Sequence, residues 1–166
     1  MLHRDYKSGS SISIRAAQPV DVPRLIRTVN AAFSIEKHLE GTRTDPERLA
    51  ALMRSGVVLL AEDSVGQLLG CIYAEVRGSS GYLGMLAVDP AHQGAHHGRA
   101  LMAAAEAHLR SKGCAAVQID VLNWRSELLP IYRRFGYIET GIEPFCPSQP
   151  LKPGIECHCV VMSKTL

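Results

Sequence analysis

Apolar and polar residues alternate over residues 12–16, and an apolar run fills residues 57–62; both patterns predict strands. Between them Leu25, Ile26, Val29 and Phe33 recur at helical spacing, which predicts a helix over residues 19–33 with Asp21 near its start. A polar segment, residues 34–44, follows. Asp45 then predicts the cap of a second helix through Arg54, with Leu49 and Leu52 on its inner face and Gly56 at its end. Ser64-Val65-Gly66 predicts a turn into a strand over residues 68–76. Residues 78–81 predict a hairpin turn into an apolar strand over residues 82–88.

Farther on, Leu101, Ala105 and Leu109 form a helical stripe, and Lys112-Gly113 supplies a stop signal. Val117, Ile119 and Val121 alternate with Gln118 and Asp120, the pattern of a strand with one buried face. Pro130 suits the first turn of a short helix, where its missing N–H costs nothing. Residues 137–140 and 155–163 close the sheet around a loop at 143–154. These elements predict a mixed α/β fold, one sheet with helices on both faces. Residues 1–11 read as a polar tail and residues 12–166 as a single domain without repeats.

Candidate chemistry concentrates between Gly81 and Glu106, where a buried strand, a glycine-bearing turn and a long helix follow one another. A helix N-terminus leaves its first N–H groups unpaired and points the positive end of its dipole at the loop, so phosphate oxygens bind there without a lysine. Leu83, Met85, Leu86, Ala87 and Val88, then Asp89-Pro90, Gln93-Gly94 and Gly98-Arg99-Ala100-Leu101, resemble the acetyl-CoA motif of the GNAT superfamily of N-acetyltransferases. The family pattern is Gln or Arg, two residues, Gly, one residue, then Gly or Ala. Gln93 and Gly98 are in register, but His96 stands at the first glycine. A second block, from Val121, resembles the family's later segment, with Asn123, Tyr132, Gly136 and Tyr137 at the matching places.

The resemblance implies a mostly antiparallel sheet of six to seven strands, a splay between the motif strand and the next strand, and acetyl-CoA as co-substrate. It implies that main-chain groups of Leu86, Ala87 and Val88 meet the acetyl and pantetheine portion. Gln93, Gly94, Ala95, His96, His97, Gly98 and Arg99 would hold the pyrophosphate, and Asn123 the pantetheine arm. Tyr132 would touch the cofactor and serve as general acid; otherwise it is a helix aromatic packed on the sheet. Asn123 could equally end its strand and cap the next helix. His96 has two readings: its side chain points outward and its amide stays in place, or the loop is distorted and the ligand lost. For the general base, residues 82–88 hold no carboxylate, so Glu75 on the preceding strand is the candidate, with Glu36, His38 and Glu40 comparable.

Composition narrows the partners. A net charge of +2 without a basic block argues against nucleic acid, and no apolar run reaches membrane-span length. The N-terminal residues do not read as a signal peptide, and five scattered cysteines read as reduced thiols, so the expected location is cytoplasmic. Cys157-His158-Cys159 lacks two further ligands, and no metal is expected. The function read here is acetyl transfer to a primary amine, of a small molecule or a peptide, in a ternary complex. The alternative is a non-catalytic acyl-CoA-binding or interaction module, favoured by His96 and the missing motif-strand carboxylate. A terminal strand at residues 155–163 is read as a sheet edge and a possible homodimer seam.

Overall fold

The computed structural model describes residues 11–145 and 149–166. Seven strands form one sheet: β1 (Ser13–Ala16), β2 (Val57–Glu62), β3 (Leu68–Arg77), β4 (Ser80–Val88), β5 (Ala116–Leu122), β6 (Ile138–Pro144) and β7 (His158–Thr165). Their order is β1-β2-β3-β4-β5-β7-β6, and every neighbouring pair is antiparallel except β4 with β5. Helices α1 (Val22–Ala32) and α2 (Pro46–Ser55) cover one face, and α3 (His97–Ser111) and α4 (Leu129–Arg134) cover the other.

Two cores follow from the alternation of side chains along the strands. On one face Leu25, Val29 and Leu49 of the helices pack on Val58, Leu60, Cys71 and Tyr73. On the other, Leu101, Met102, Ala105 and Leu109 of α3 pack on Leu59, Ile72, Leu83 and Val117. The C-terminal end of α3 packs directly on the start of β4 at Gly81, where a Cβ would stand 2.4 Å from Leu109 Cδ1.

Several sequence expectations hold at the level of single residues. Strand β2 has the predicted bounds, Asp45 Oδ1 accepts a hydrogen bond from the Arg48 amide at 2.9 Å, and Gly113 ends α3 at φ 85°. Others need correction. The predicted helix at 19–33 begins as a 3-10 turn, Pro19–Asp21, because Pro23 brings no N–H to the first turn of α1. Residues 155–157 lie outside β7, which starts at His158, while β6 runs on to Pro144. More consequentially, the last strand is not an edge: β7 is paired on both sides, with β5 and with β6. The free edge there belongs to β6, whose residues are all exposed. The expected polar tail, residues 1–11, lies outside the described residues apart from Ser11, as does part of the loop at 143–154.

Candidate active site

Strands β4 and β5 pair at three positions, Ser80–Ala116, Gly81–Val117 and Tyr82–Gln118, and then part. Two local causes act on β4. Met85 adopts φ 50°, and between Tyr73 and Cys71 the register of β3 on β4 shifts by one residue, so β4 bulges at Met85-Leu86. Beyond Tyr82 the main-chain groups of β4 that face β5 have no strand partner. The gap opens into a continuous cavity of about 1440 Å3 that runs from the α1–α2 side through to α3 and α4.

At one end of that cavity stands the N-terminus of α3. His96, the residue before the helix, holds φ 61° and ψ 16°, the left-handed conformation that a glycine supplies more readily. Its side chain is exposed and its carbonyl accepts the Ala100 amide at 3.1 Å, so the helix opens normally and the first amides face the loop. Of the two readings of His96, the undistorted one is therefore observed. Gly98 lies against the end of β4: a Cβ there would be 3.7 Å from Val88 Cγ2 and 3.9 Å from Leu86 Cδ2. Leu86, Val88, Gln93, Gly94, His96, His97, Gly98 and Arg99 all line the cavity, whereas the Ala87 side chain is buried in the α1–α2 core and Ala95 is exposed off the lining.

Tyr132 enters the same cavity from α4. Its ring meets Tyr137 edge-on at 6.1 Å and Phe135 at 6.4 Å. Tyr137 is in turn fixed by a buried polar cluster, in which its Oη donates to Glu106 Oε1 at 2.8 Å and Lys164 Nζ donates to Glu106 Oε2 at 2.8 Å. Burial pushes the Tyr132 phenol above its ordinary pKa, against a weaker opposite pull from Arg125, so it stays protonated at neutral pH. Asn123 is placed elsewhere. Its Oδ1 accepts the His158 amide at 3.1 Å, tying the end of β5 to the start of β7; it does not line the cavity, and it opens the 3-10 helix Asn123–Leu128 rather than capping it.

The α1–α2 side of the cavity carries the carboxylates. Glu75 lines it but is held by Arg77 at 2.9 Å, opposite Tyr82, before the strands part. Asp120 stands two residues past the last β4–β5 pair, inside the opening, with Gln118 Nε2 donating to it at 3.0 Å. Between them lies Tyr82, its ring along β4 over Gly84 and covered by the Arg77 guanidinium at 3.8 Å. Burial, with Asp120 adding, pushes the Tyr82 phenol up to about 12. Glu36 also lines the cavity, paired with Arg125 at 3.2 Å, and burial raises its pKa. His38 instead meets the Trp124 ring at a tilt, 4.6 Å between centroids, and Glu40 is exposed. The segment at 34–44 is not a free loop. Its Glu40 amide donates to Pro150 O at 2.9 Å, Gln149 Nε2 donates to Glu40 O at 2.9 Å, and Leu39 bridges to Leu151.

Asp120, Tyr82 and Arg125 were not singled out as site residues from the sequence. The signal for Asp120 was present in the alternation of β5, which puts Gln118, Asp120 and Leu122 opposite the buried Val117, Ile119 and Val121. Among the described residues no three His, Cys, Asp or Glu side chains gather as a metal site, and no helix is long and apolar enough to cross a membrane.

The model of the acetyltransferase (GNAT) family matches residues 24–137, more than half of the chain. The chain belongs to this family. A curated relative, mycothiol acetyltransferase of Saccharopolyspora erythraea, is 32% identical over 131 residues, 76% of this GNAT chain and 43% of that protein. The chain thus spans less than half the length of that relative. Among solved structures, ribosomal-protein-alanine N-acetyltransferase from Brucella melitensis superposes with a TM-score of 0.75 at 22% identity, over 93% of this chain and 99% of that one. The yncA protein of Salmonella typhimurium, whose structure holds its cofactor acetyl-CoA, superposes with a TM-score of 0.73 at 20% identity over 95% of each chain. At these identities the structures establish a shared GNAT fold.

Proposed function

We propose that this GNAT chain is an acetyl-CoA-dependent N-acetyltransferase that moves the acetyl group directly to the primary amine of a small molecule. The observation that carries the reading is the parting of β4 from β5 between the opened N-terminus of α3 on one side and Tyr132 on the other. An unpaired strand edge beside unpaired helix amides fits an acyl-CoA, since an amide-rich arm can pair with the edge and a pyrophosphate with the amides. The main-chain groups around Leu86 and Val88 would take the arm, and the amides from Gly94 to Arg99 the pyrophosphate.

When bound, acetyl-CoA supplies an activated acetyl carbonyl and a sulfur leaving group. The rest is done by side chains of this chain. Asp120, inside the opening, accepts a proton from the acceptor's ammonium, directly or through water, so that the amine can attack; it replaces Glu75, whose carboxylate is engaged by Arg77. As the new C–N bond forms and the C–S bond breaks, Tyr132 Oη would give its proton to the departing sulfur and be reprotonated from solvent; burial keeps that proton on the phenol at neutral pH until it is needed. Both supports of the non-catalytic alternative weaken, because His96 holds the glycine-like conformation and Asp120 brings a carboxylate to the opening. The hydrogen-bonded wall at 34–44 and 149–151 favours a small acceptor.

Tyr132→Phe tests the assignment. Amine-dependent thiol release should fall about 100-fold or more while acetyl-CoA affinity, followed by calorimetry, stays within threefold, the pattern of a group that acts in the transition state alone. An unchanged rate removes Tyr132 from the mechanism.

A further inference from the structure

On the α1–α2 side of the cavity most charges are already matched. Glu36 is paired with Arg125 at 3.2 Å, Glu75 with Arg77 at 2.9 Å and Asp45 with Arg48 at 3.3 Å. Arg43, Asp120 and the exposed Glu143 also line the cavity and form no ion pair within 4 Å among the described residues. The guanidinium of Arg43 lies 5.0 Å over the Phe33 ring and, among the described residues, donates no hydrogen bond; it shares the charge of Glu36 with Arg125, which leaves one guanidinium in excess over that carboxylate. Asp120 is held by the neutral amide of Gln118. One cation, Arg43, thus shares the space with Asp120, which stands at the strand opening, and with Glu143, which is exposed on β6.

The packing of Arg43 suits it to a ligand. An aromatic face holds the guanidinium flat and leaves its N–H edge open, the arrangement that binds an oxyanion through two parallel hydrogen bonds. Arg43 reaches the cavity from the segment at 34–44, next to the buried Thr44, whose amide donates to Asn30 Oδ1 at 2.9 Å and whose carbonyl accepts from Asn30 Nδ2 at 3.0 Å. The backbone that carries Arg43 is therefore tied to α1. Both charges also lie near the Tyr82 phenol, on which Asp120 and Arg43 act with opposite sign. Phe33, whose ring lies under Arg43, packs with Tyr82 on the α1–α2 core, and Asp120 is on that same face of the sheet, opposite Val117, Ile119 and Val121, so the two groups share one lobe of the cavity.

We propose that the acceptor is zwitterionic, an amino-acid-like molecule whose carboxylate is bound by Arg43 while its ammonium meets Asp120. The proposal rests on the transferase reading and adds the substrate class. A partner bearing an amine alone would leave the Arg43 guanidinium facing an apolar part of the ligand, with its hydration lost and nothing in return.

The experiment offers the enzyme and acetyl-CoA a matched panel: free α-amino acids, their carboxamides, and the amines that lack the carboxyl group. Carboxylate-bearing acceptors should show kcat/KM at least tenfold above their matched amides and amines. Arg43→Gln should collapse that preference by raising KM for the carboxylates about ten- to a hundredfold, with kcat changed far less, and Arg43→Lys should restore part of it. Calorimetry with the best carboxylate acceptor in the presence of free CoA should show the same loss of affinity, and unchanged acetyl-CoA binding confirms that the variant is folded. Amides or simple amines turned over as well as the amino acids, or an unchanged KM in Arg43→Gln, would overturn the proposal while leaving the transferase reading intact. Acetyl-CoA binding without turnover of any panel member would overturn the transferase reading first, and this proposal with it.

Discussion

Substitution of His96 separates a backbone role from a side-chain role at the head of α3. Histidine at φ 61° and ψ 16° pays for its Cβ: the left-handed region costs an L-residue about 1–2 kcal/mol, with histidine toward the lower end of that range. Glycine removes this strain but adds about 0.4–1 kcal/mol of unfolded-chain freedom. His96→Gly should therefore lie between neutral and about 1 kcal/mol more stable, with acetyl-CoA affinity within threefold of the parent. His96→Val places a β-branched side chain where it fits worst. It should lose about 1–2 kcal/mol, or about 2–8 °C in Tm, and turn the following amides away so that acetyl-CoA binding weakens at least tenfold. Urea unfolding followed by the fluorescence of Trp124, the only tryptophan in the chain, gives the stabilities, and calorimetric titration gives the affinities. A His96→Gly protein that loses acetyl-CoA more than tenfold would mean that the imidazole, not the backbone, holds the ligand. A His96→Val protein that binds and folds like the parent would mean that the left-handed conformation is not needed.

Two further outcomes follow from the charged groups. Asp120→Asn should lower kcat by about 100- to 10,000-fold with acetyl-CoA affinity unchanged, and Glu75→Gln far less; equal losses in the two would return the base assignment to Glu75. Asp21, buried at the junction of β1, β2 and α1, accepts hydrogen bonds from Arg15, Arg24 and the Gln18 amide, and these hold its carboxyl well below the usual range, Arg15 most of all. A carboxyl lowered by folding stabilises above its unfolded pKa of about 4 and loses that contribution as pH falls toward the lowered value. Asp21→Asn should cost about 2–3 kcal/mol at pH 7, less than for a fully buried pair because both arginines are partly exposed, and the deficit should shrink below pH 4 in urea titrations.

What was legible in the sequence tracks what is local. The cap at Asp45, the stop at Gly113 and the bounds of β2 depend on neighbouring residues, and the helical stripe of α3 depends on a period that needs no partner. The placing of β7 between β5 and β6 could not be read this way, since pairing across the chain leaves no local mark. Met85 hides the bulge for a related reason: no glycine announces a positive φ there, and the tertiary frame imposes it. Because the opening of β4 from β5 follows from that bulge, the face of β5 that enters the site could be read as a sheet face but not as a cavity wall. Asp120 was visible on the right face without visible purpose. Asn123 ends its strand, as one of its two readings had it, and its side-chain oxygen is used by the His158 amide.

The central claim is direct acetyl transfer at the parting of β4 and β5, and it is tested most directly by following a labelled acetyl group from acetyl-CoA in the presence of a primary-amine panel rich in amino acids. Direct transfer predicts label in an N-acetylated amine with one free CoA released per product, no release without amine, and no acetyl group on the protein. Tight binding of acetyl-CoA with no amine-dependent release would contradict it, and so would label retained on a side chain of the enzyme.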